Sequence, residues 1–150
     1  MVVRAPLIIR SRPPRAAAVT LLEAQGLPFS DITPEHLELF LYAGSEASPT
    51  GMVGVEIYGT VGLLRSLVVA DDARTQGLGS ALVQQAESYA AARQLSALYL
   101  LTTTADKFFE RRGYQRIDRT QAPTAIHATV EFASLCPASS AFMIKQLSNP

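Results

Sequence analysis

The sequence is poor in the residues that build covalent cross-links and metal sites. It has one cysteine, Cys136, and two histidines, His36 and His127. A single cysteine excludes an intramolecular disulfide and a cysteine-rich metal site, and two distant histidines cannot build a zinc centre by themselves. We therefore expect a protein that holds no metal and resides in a reducing cytoplasm.

An excess of charge of one sign and long apolar runs are also lacking. The chain carries 13 basic and 13 acidic residues, so its formal net charge is zero. No overall field would attract nucleic acid or an anionic membrane. The longest apolar runs are far shorter than the ~20 residues of a membrane-spanning helix. Neither nucleic acid nor a membrane is an expected partner, and residues 1–150 have the length of one domain.

The residues from 63 to 82 are the most informative stretch of the sequence. They begin as an apolar run rich in Val and Leu, pass through a polar turn, and become helical in period from Leu78 onward. This order predicts a strand, a tight loop and the start of a helix. Gly77 and Gly79 let the backbone approach a ligand, and the first helical turn supplies unpaired N–H donors with a partial positive charge. Such a corner suits a pyrophosphate.

Two common phosphate-binding motifs do not fit this corner. A dinucleotide fingerprint would need glycine or alanine in place of Leu82, and an acidic residue in place of Thr102–Thr104 at the end of the next strand. A nucleoside-triphosphate loop would need Lys followed by Ser or Thr where Ser80–Ala81 stands. A helix cap that contains glycine and binds no ligand remains the alternative interpretation.

The remaining motif resembles one protein family. Residues 74–79, Arg-Thr-Gln-Gly-Leu-Gly, are similar to the R/Q-x-x-G-x-G/A coenzyme A loop of the GCN5-related N-acetyltransferases (GNAT). The family also places Leu-x-Val on the preceding strand, where this chain has Leu67-Val68-Val69. A second family motif, N-x-x-A-x-x-F-Y-x-x-x-G-F, resembles residues 102–114. In this chain Thr102 replaces the asparagine, and Phe109 replaces the tyrosine that commonly protonates the leaving thiolate.

The resemblance implies a fold and a cosubstrate. The fold would be α/β, with a mixed, mostly antiparallel sheet of about six to seven strands that is splayed at its centre and flanked by helices. Acetyl-CoA would lie with its pantetheine in the central gap, and a homodimer is left open. The residues assigned to coenzyme binding are Leu67, Val68, Val69, Arg74, Thr75, Gln76, Gly77, Leu78, Gly79, Ser80, Thr102, Phe108 and Phe109.

The local patterns predict the order of the elements. Strands are expected over residues 7–11, 37–43, 51–58, 61–69, 96–103, 114–119 and 141–147, and helices over 15–25, 78–93, 105–112 and 123–131. Thr33-Pro34 resembles a helix start, but the alternation after it favours a brief turn before the second strand. His36, in that turn, is expected to be a solvated surface side chain.

Two charged residues interrupt apolar strands. A two-residue turn at Gly59-Thr60 would place Gly54 opposite Arg65, so that Glu56 and Arg65 share a face as diagonal neighbours about 7 to 8 Å apart. Burial would make Glu56 a stronger proton acceptor, hence the candidate catalytic base. Arg65 matches the carboxylate of an amino-acid acceptor, and Glu56 would then face the acceptor's amine. A purely structural ion pair is the alternative.

The resemblance also narrows the range of possible acceptor substrates. Residues 101–114 look like the amino-acid-acetylating branch that includes the N-acetylglutamate synthases. Residues 64–69 and 132–137 resemble the small arsenic-resistance N-acetyltransferases. The leading hypothesis is an enzyme that acetylates the amine of a small amino acid or amino-acid-like compound, with arsenic or toxic-compound resistance as its role. The alternatives are a non-catalytic acyl-CoA-binding regulatory domain, which the missing Phe109 hydroxyl keeps open, and a protein N-acetyltransferase.

Overall fold

A computed structural model describes residues 8–70, 77–129, 132 and 140–147. The strands are β1 (Ile9–Ser11), β2 (Phe40–Gly44), β3 (Pro49–Tyr58), β4 (Val61–Val69), β5 (Ala97–Thr102), β6 (Gln115–Arg116) and β7 (Ala141–Gln146). The helices are α1 (Arg15–Ala24), α2 (Pro34–Leu37), α3 (Leu78–Ala92), α4 (Asp106–Glu110) and α5 (Thr124–His127). A single 3-10 turn spans Arg119–Gln121 in this part of the chain.

The strands form one seven-stranded sheet in the order β1-β2-β3-β4-β5-β7-β6. Within it β4 and β5 are parallel and are connected through α3, whereas the other neighbouring strands are antiparallel. The predicted α/β class and mostly antiparallel sheet are confirmed. No helix in the described ranges has the length and apolar content needed to cross a membrane.

The two faces of the sheet are covered differently. On one face α3 buries Leu78, Leu82 and Ala86 against Val53 and Val55 of the sheet. Strand alternation sends Met52 to the opposite face, where it packs with α1. Farther along that face, Phe132 covers part of the sheet. Burying a leucine as completely as Leu82, which is 0% exposed, stabilises the fold by about 1.5–3 kcal/mol.

Two predicted element boundaries are wrong. Residues 34–37 form the helix α2, so β2 begins at Phe40 and not at residue 37. Thr33 caps this helix: its Oγ1 accepts from the His36 N–H at 3.3 Å, and its own N–H donates to His36 Nδ1 at 3.0 Å. Local capping therefore outweighs the alternating pattern.

Two later elements are shorter than predicted. β6 covers Gln115–Arg116 alone, because Asp118 then caps the 3-10 turn by accepting from the Thr120 N–H. α5 ends at His127, where Thr129 Oγ1 donates back to the Ile126 carbonyl at 2.8 Å. In both places a short polar side chain bonds the local backbone and stops the regular element.

Candidate active site

A β-bulge shapes the central strand. The register with β3 passes from Gly54–Arg65 to Met52–Val68, so that Ser66 and Leu67 together face one residue of β3. Ser66 has a φ of 59°, in the left-handed region that a non-glycine residue rarely adopts. Such bulges increase local twist and redirect side chains, and they often lie next to functional sites.

Beyond the bulge, β4 and β5 separate. They pair at three positions, from Val61–Ala97 to Leu63–Tyr99, and from there both strands line a cleft of about 590 Å³. This volume is typical of a small-molecule site. The cleft is lined by residues 25–28 of the α1–α2 connection, 64–69 of β4, 100–105 at the end of β5, Phe109 and Ser140. The predicted opening at the centre of the sheet is therefore present.

The start of α3 provides a second binding feature. Gly77 precedes the helix with a φ of 71°, and a Cβ there would meet no described atom within 4 Å. At Gly79 a Cβ would lie 3.4 Å from the Phe108 ring. The first N–H groups of a helix have no intrahelical partner, so this open corner can bind an anion. The predicted coenzyme residues Arg74, Thr75 and Gln76 lie outside the described residues.

Arg112 fixes the position of this corner. Its guanidinium lies over the Phe108 ring, 3.6 Å from the centroid, and donates to the Phe108 carbonyl at 2.8 Å. It also donates to the Ser80 hydroxyl in the first turn of α3. Burial, and then the neighbouring Arg111, lower the pKa of Arg112. Ser80 and Phe108, both predicted coenzyme residues, thus join α3 to α4.

Thr102 and Phe109 shape the end of the cleft next to α4. Thr102 Oγ1 accepts from the Ala105 N–H at 3.0 Å and shapes the turn after β5. Phe109 is 5% exposed, and its ring meets those of Phe108 and Tyr114 edge-on, with centroids 5.1 and 5.3 Å away. The aromatic side chain thus fixes α4 and brings no hydroxyl to the cleft.

Glu56 and Arg65 lie on one face of the hairpin, in the predicted register of Gly54 opposite Arg65 and Glu56 opposite Leu63. Arg65 Nη1 donates to Glu56 Oε2 at 2.7 Å. The two terminal nitrogens of the guanidinium also bind Asp31, with Nη2–Oδ1 at 2.8 Å. The Arg65 side chain is 0% exposed and Glu56 is 6% exposed. One buried cation therefore bridges two carboxylates.

The charge of Asp31 is maintained against its burial. Burial alone disfavours the carboxylate, but the hydrogen bonds and the charge of Arg65 outweigh it and hold the pKa of Asp31 below its usual value. Asp31 lies in the connection between α1 and α2, whose residues 25–28 line the cleft. The ion pair therefore attaches this connection to the central hairpin.

Tyr58 and His36 complete the surroundings of Glu56. The Tyr58 hydroxyl donates to Glu56 Oε1, and burial, then this bond and the charge of Glu56, raise the pKa of Tyr58. His36 Nε2 lies 3.7 Å from Glu56 Oε2. Because His36 Nδ1 accepts the Thr33 N–H, the proton of a neutral imidazole is assigned to Nε2, which faces Glu56. We call Asp31, His36, Glu56, Tyr58 and Arg65 the hairpin cluster.

The predicted site residues fall into three places. Arg65, Leu67, Val68, Val69, Thr102 and Phe109 line the cleft. Gly77, Gly79, Ser80 and Phe108 lie at the start of α3 and its contact with α4, while the Leu78 side chain is buried in the core. Glu56 lies in the hairpin cluster, hydrogen-bonded to Arg65, and is not among the residues of the described cleft wall.

Sequence reasoning missed three members of the hairpin cluster. Tyr58 had a usable signal, since it lies two residues after Glu56 on the same strand and so on the same face. The sequence predicts a solvated His36, but the side chain is 27% exposed and Nε2 lies 3.7 Å from Glu56 Oε2; its position three residues after Thr33 in a helix cap was the available signal. Nothing local marks Asp31 as the partner of Arg65. Among the described residues, no group of three or more His, Cys, Asp or Glu side chains is arranged to hold a metal ion.

Comparison with known proteins adds a family and relatives. The family model for the acetyltransferase (GNAT) family matches residues 10–114, more than half of the chain. An uncharacterised N-acetyltransferase of Chlorobaculum tepidum is 32% identical over 94 residues. The match covers 61% of this chain and 59% of that relative, so the chain spans less than two thirds of the relative's length.

Solved structures share the fold. N-acetylglutamate synthase from Neisseria gonorrhoeae, complexed with coenzyme A and N-acetyl-glutamate, matches with a TM-score of 0.79 at 20% identity, over 97% of this chain and 36% of that one. The ribosomal-protein-S18-alanine N-acetyltransferase from Escherichia coli matches with a TM-score of 0.69 at 16% identity, over 95% of both chains. At these identities the likeness shows the fold alone. On the extent of the family match, the chain belongs to the acetyltransferase (GNAT) family.

Proposed function

We propose that the protein is an acetyl-CoA-dependent N-acetyltransferase that acts on the amine of a small amino acid or amino-acid-like compound. The observation that carries the proposal is the cleft between β4 and β5, which opens at the Ser66 bulge beside the start of α3. Pantetheine is a thin chain that carries amides, and it suits a gap between two strand edges. The pyrophosphate suits the helix start at Gly77.

The reaction joins the amine nitrogen to the thioester carbonyl carbon and releases coenzyme A. Binding both substrates in one cleft replaces an encounter in solution with a fixed geometry. The protein must also accept a proton from the amine. Glu56 takes this role in the proposal, acting through a water because it bonds Arg65 of the cleft wall and does not itself line the described cleft.

Arg65 is proposed to select the acceptor. A free amino acid carries a carboxylate close to its amine, and a guanidinium fork binds a carboxylate with two parallel hydrogen bonds. Asp31 already occupies such a fork on Arg65. The acceptor carboxylate would therefore compete with Asp31, and the α1–α2 connection that carries Asp31 would adjust on binding. If Asp31 is never displaced, Arg65 holds the site together and contacts no substrate.

A matched pair of glycine variants tests the coenzyme site. Gly77 and Gly59 have φ values of 71° and 65°, and at each a Cβ would meet no described atom within 4 Å. Valine at either position therefore introduces similar backbone strain. Gly77→Val should abolish acetyl-CoA binding in calorimetry because its side chain enters the space of the pyrophosphate, whereas Gly59→Val, in the hairpin turn, should bind normally. Equal affinities in the two variants would reject the assignment.

Thiol release tests the activity. The protein is incubated with acetyl-CoA and a panel of amino acids, their amides and short peptides, and free coenzyme A is trapped. Release that depends on a free amino acid supports the proposal. Binding of acetyl-CoA without acceptor-dependent release would favour a regulatory domain, and release with peptides alone would favour a protein N-acetyltransferase.

The proposed link to arsenic or toxic-compound resistance rests on the resemblance of residues 64–69 and 132–137. It requires that cells expressing the active protein survive the toxic compound better than cells expressing an inactive variant.

A further inference from the structure

The hydroxyl of Ser140 is unusual among the polar groups of the described residues. Ser140 is 6% exposed, and its Oγ is the single buried side-chain nitrogen or oxygen in that part of the chain without a hydrogen-bond partner. A buried polar group without a partner destabilises a fold, and an isolated case in a native structure calls for an explanation. One explanation is that this hydroxyl forms its hydrogen bond with a ligand.

Ser140 lies where such a ligand would bind. It lines the cleft together with Phe109 and the end of β5. The next residue, Ala141, pairs with Thr102 at the last rung between β5 and β7. Arg119 donates to the Ser140 carbonyl at 3.3 Å. The backbone of Ser140 is thus fixed at the edge of the cleft while its hydroxyl is uncommitted, so a side-chain rotation toward the cleft breaks no hydrogen bond.

The other hydroxyls of the cleft differ from Ser140. Ser66 Oγ accepts from Arg65 Nε at 3.0 Å, and Thr102 Oγ1 accepts from the Ala105 N–H at 3.0 Å. Thr103 and Thr104 are exposed, so water can satisfy them. A ligand therefore gains most by meeting the Ser140 hydroxyl, because no existing partner has to be displaced.

We propose that the Ser140 hydroxyl donates a hydrogen bond to the sulfur of the acetyl thioester as coenzyme A leaves. The inference rests on the proposed acetyl transfer. As the carbon–nitrogen bond forms, the carbon–sulfur bond breaks and its electron pair passes to sulfur, while the amine proton goes to the base. Phe109, on the same cleft, has no hydroxyl to offer the developing thiolate. A thiolate is a weak base, so a hydrogen bond stabilises it without full proton transfer, and Ser140 keeps its proton.

Ser140→Ala separates this role from a structural one. Removing an unpaired buried hydroxyl should leave the melting temperature unchanged or slightly higher. The turnover number should fall about 10- to 100-fold, the effect of losing a hydrogen bond to a charged group, with the acceptor KM unchanged. Ser88→Ala, on the exposed side of α3, controls for loss of a serine elsewhere and should have full activity.

A binding measurement tests the sulfur contact without turnover. Calorimetry compares coenzyme A with desulfo-coenzyme A, which lacks the thiol. Ser140→Ala should weaken coenzyme A about 2- to 10-fold and leave desulfo-coenzyme A unchanged. The proposal would be overturned if Ser140→Ala bound coenzyme A as tightly as the wild type, if its turnover number were unchanged, or if it raised the acceptor KM with no loss of turnover. If the wild-type protein acetylates nothing, the proposed function fails while the calorimetry still decides the role of Ser140.

Discussion

Two clusters in the molecule each combine a glutamate, a tyrosine and a cationic side chain, but in different surroundings. In the hairpin cluster, Glu56 accepts from the Tyr58 hydroxyl and from Arg65. On the other face of the sheet, Glu87 of α3 accepts from the Tyr114 hydroxyl at 3.0 Å and from Lys145 at 2.8 Å. We call Glu87, Tyr114 and Lys145 the helix cluster. In both clusters burial and the neighbouring glutamate raise the pKa of the tyrosine.

The clusters differ in cation, burial and position. Arg65 is 0% exposed and bridges two carboxylates, whereas Lys145 is 27% exposed and binds one. Arg65 also lines the cleft, and no described member of the helix cluster does. A glutamate, a tyrosine and a cation are therefore not a functional signature by themselves. Its position beside the splayed strands makes the hairpin cluster a candidate for function. The helix cluster has similar groups but does not line the described cleft, so its variants serve as matched controls.

The largest contrast is expected in stability. Arg65→Met leaves the Asp31 and Glu56 carboxylates buried without their cation, which should lower the free energy of unfolding by about 3–5 kcal/mol. Lys145→Met should lower the free energy of unfolding by about 1 kcal/mol or less, because water reaches Lys145 and Glu87, whose side chains are 27% and 18% exposed. Urea denaturation of the two variants measures the difference. Equal losses would show that the burial of the hairpin cluster has no energetic consequence.

The second contrast concerns turnover. Glu56→Gln keeps the shape of the side chain but removes the proton acceptor, so the turnover number should fall about 100-fold with the acceptor KM little changed. Glu87→Gln makes the same chemical change in the helix cluster and should retain the turnover number within about 2-fold. Steady-state kinetics on the two variants decides. A full-rate Glu56→Gln enzyme would exclude Glu56 as the base.

The third contrast concerns acceptor binding. Arg65→Lys replaces a fork with a point charge, so the acceptor KM should rise about 10-fold, whereas Lys145→Arg should leave it unchanged. Amino-acid amides, which lack the carboxylate, should be poor acceptors for the unmodified enzyme. If the amide and the free acid are acetylated equally well, Arg65 is a structural partner of Glu56 and Asp31.

The smallest contrast is in acid stability. The folded-state pKa of Asp31 is lowered from its unfolded value near 3.8, so the ionised carboxylate contributes stability above that pH. This contribution is lost as the pH falls through the folded-state pKa. Asp31→Asn should therefore lower the stability at neutral pH and flatten its decline below about pH 4. Denaturation at a series of pH values tests this expectation, and parallel curves for wild type and variant would contradict it.

Much of the fold follows from local pattern. The apolar spacing after Gly77 predicted α3, and the turn at Gly59-Thr60 fixed the register of the hairpin, because a two-residue turn leaves one way to pair the strands. The register in turn placed Glu56 and Arg65 on one face. Each of these features depends on residues close together in the chain.

The candidate site depends on contacts between distant residues, and these were harder to predict. The bulge contains Ser66 in a left-handed conformation, which the presence of a serine in the sequence does not predict. Asp31 meets Arg65 across 34 positions of sequence, and no periodic pattern links them. His36 Nε2 faces Glu56 because the other ring nitrogen, Nδ1, takes part in the cap of α2. The roles assigned to Glu56, Arg65 and the coenzyme residues remain predictions.

The short junction between β4 and β5 has a thermodynamic consequence. Strands β1–β4 and β5–β7 are joined, in the described register, by three residue pairs. A ligand that touches both walls of the cleft would connect β4 and β5 beyond the last residue pair of their ladder. It binds the closed sheet and not the unfolded chain, so free ligand at 100 times its dissociation constant adds about 2.7 kcal/mol to folding stability. If that ligand is coenzyme A, as proposed above, the resistance of the domain to unfolding should rise with the coenzyme concentration.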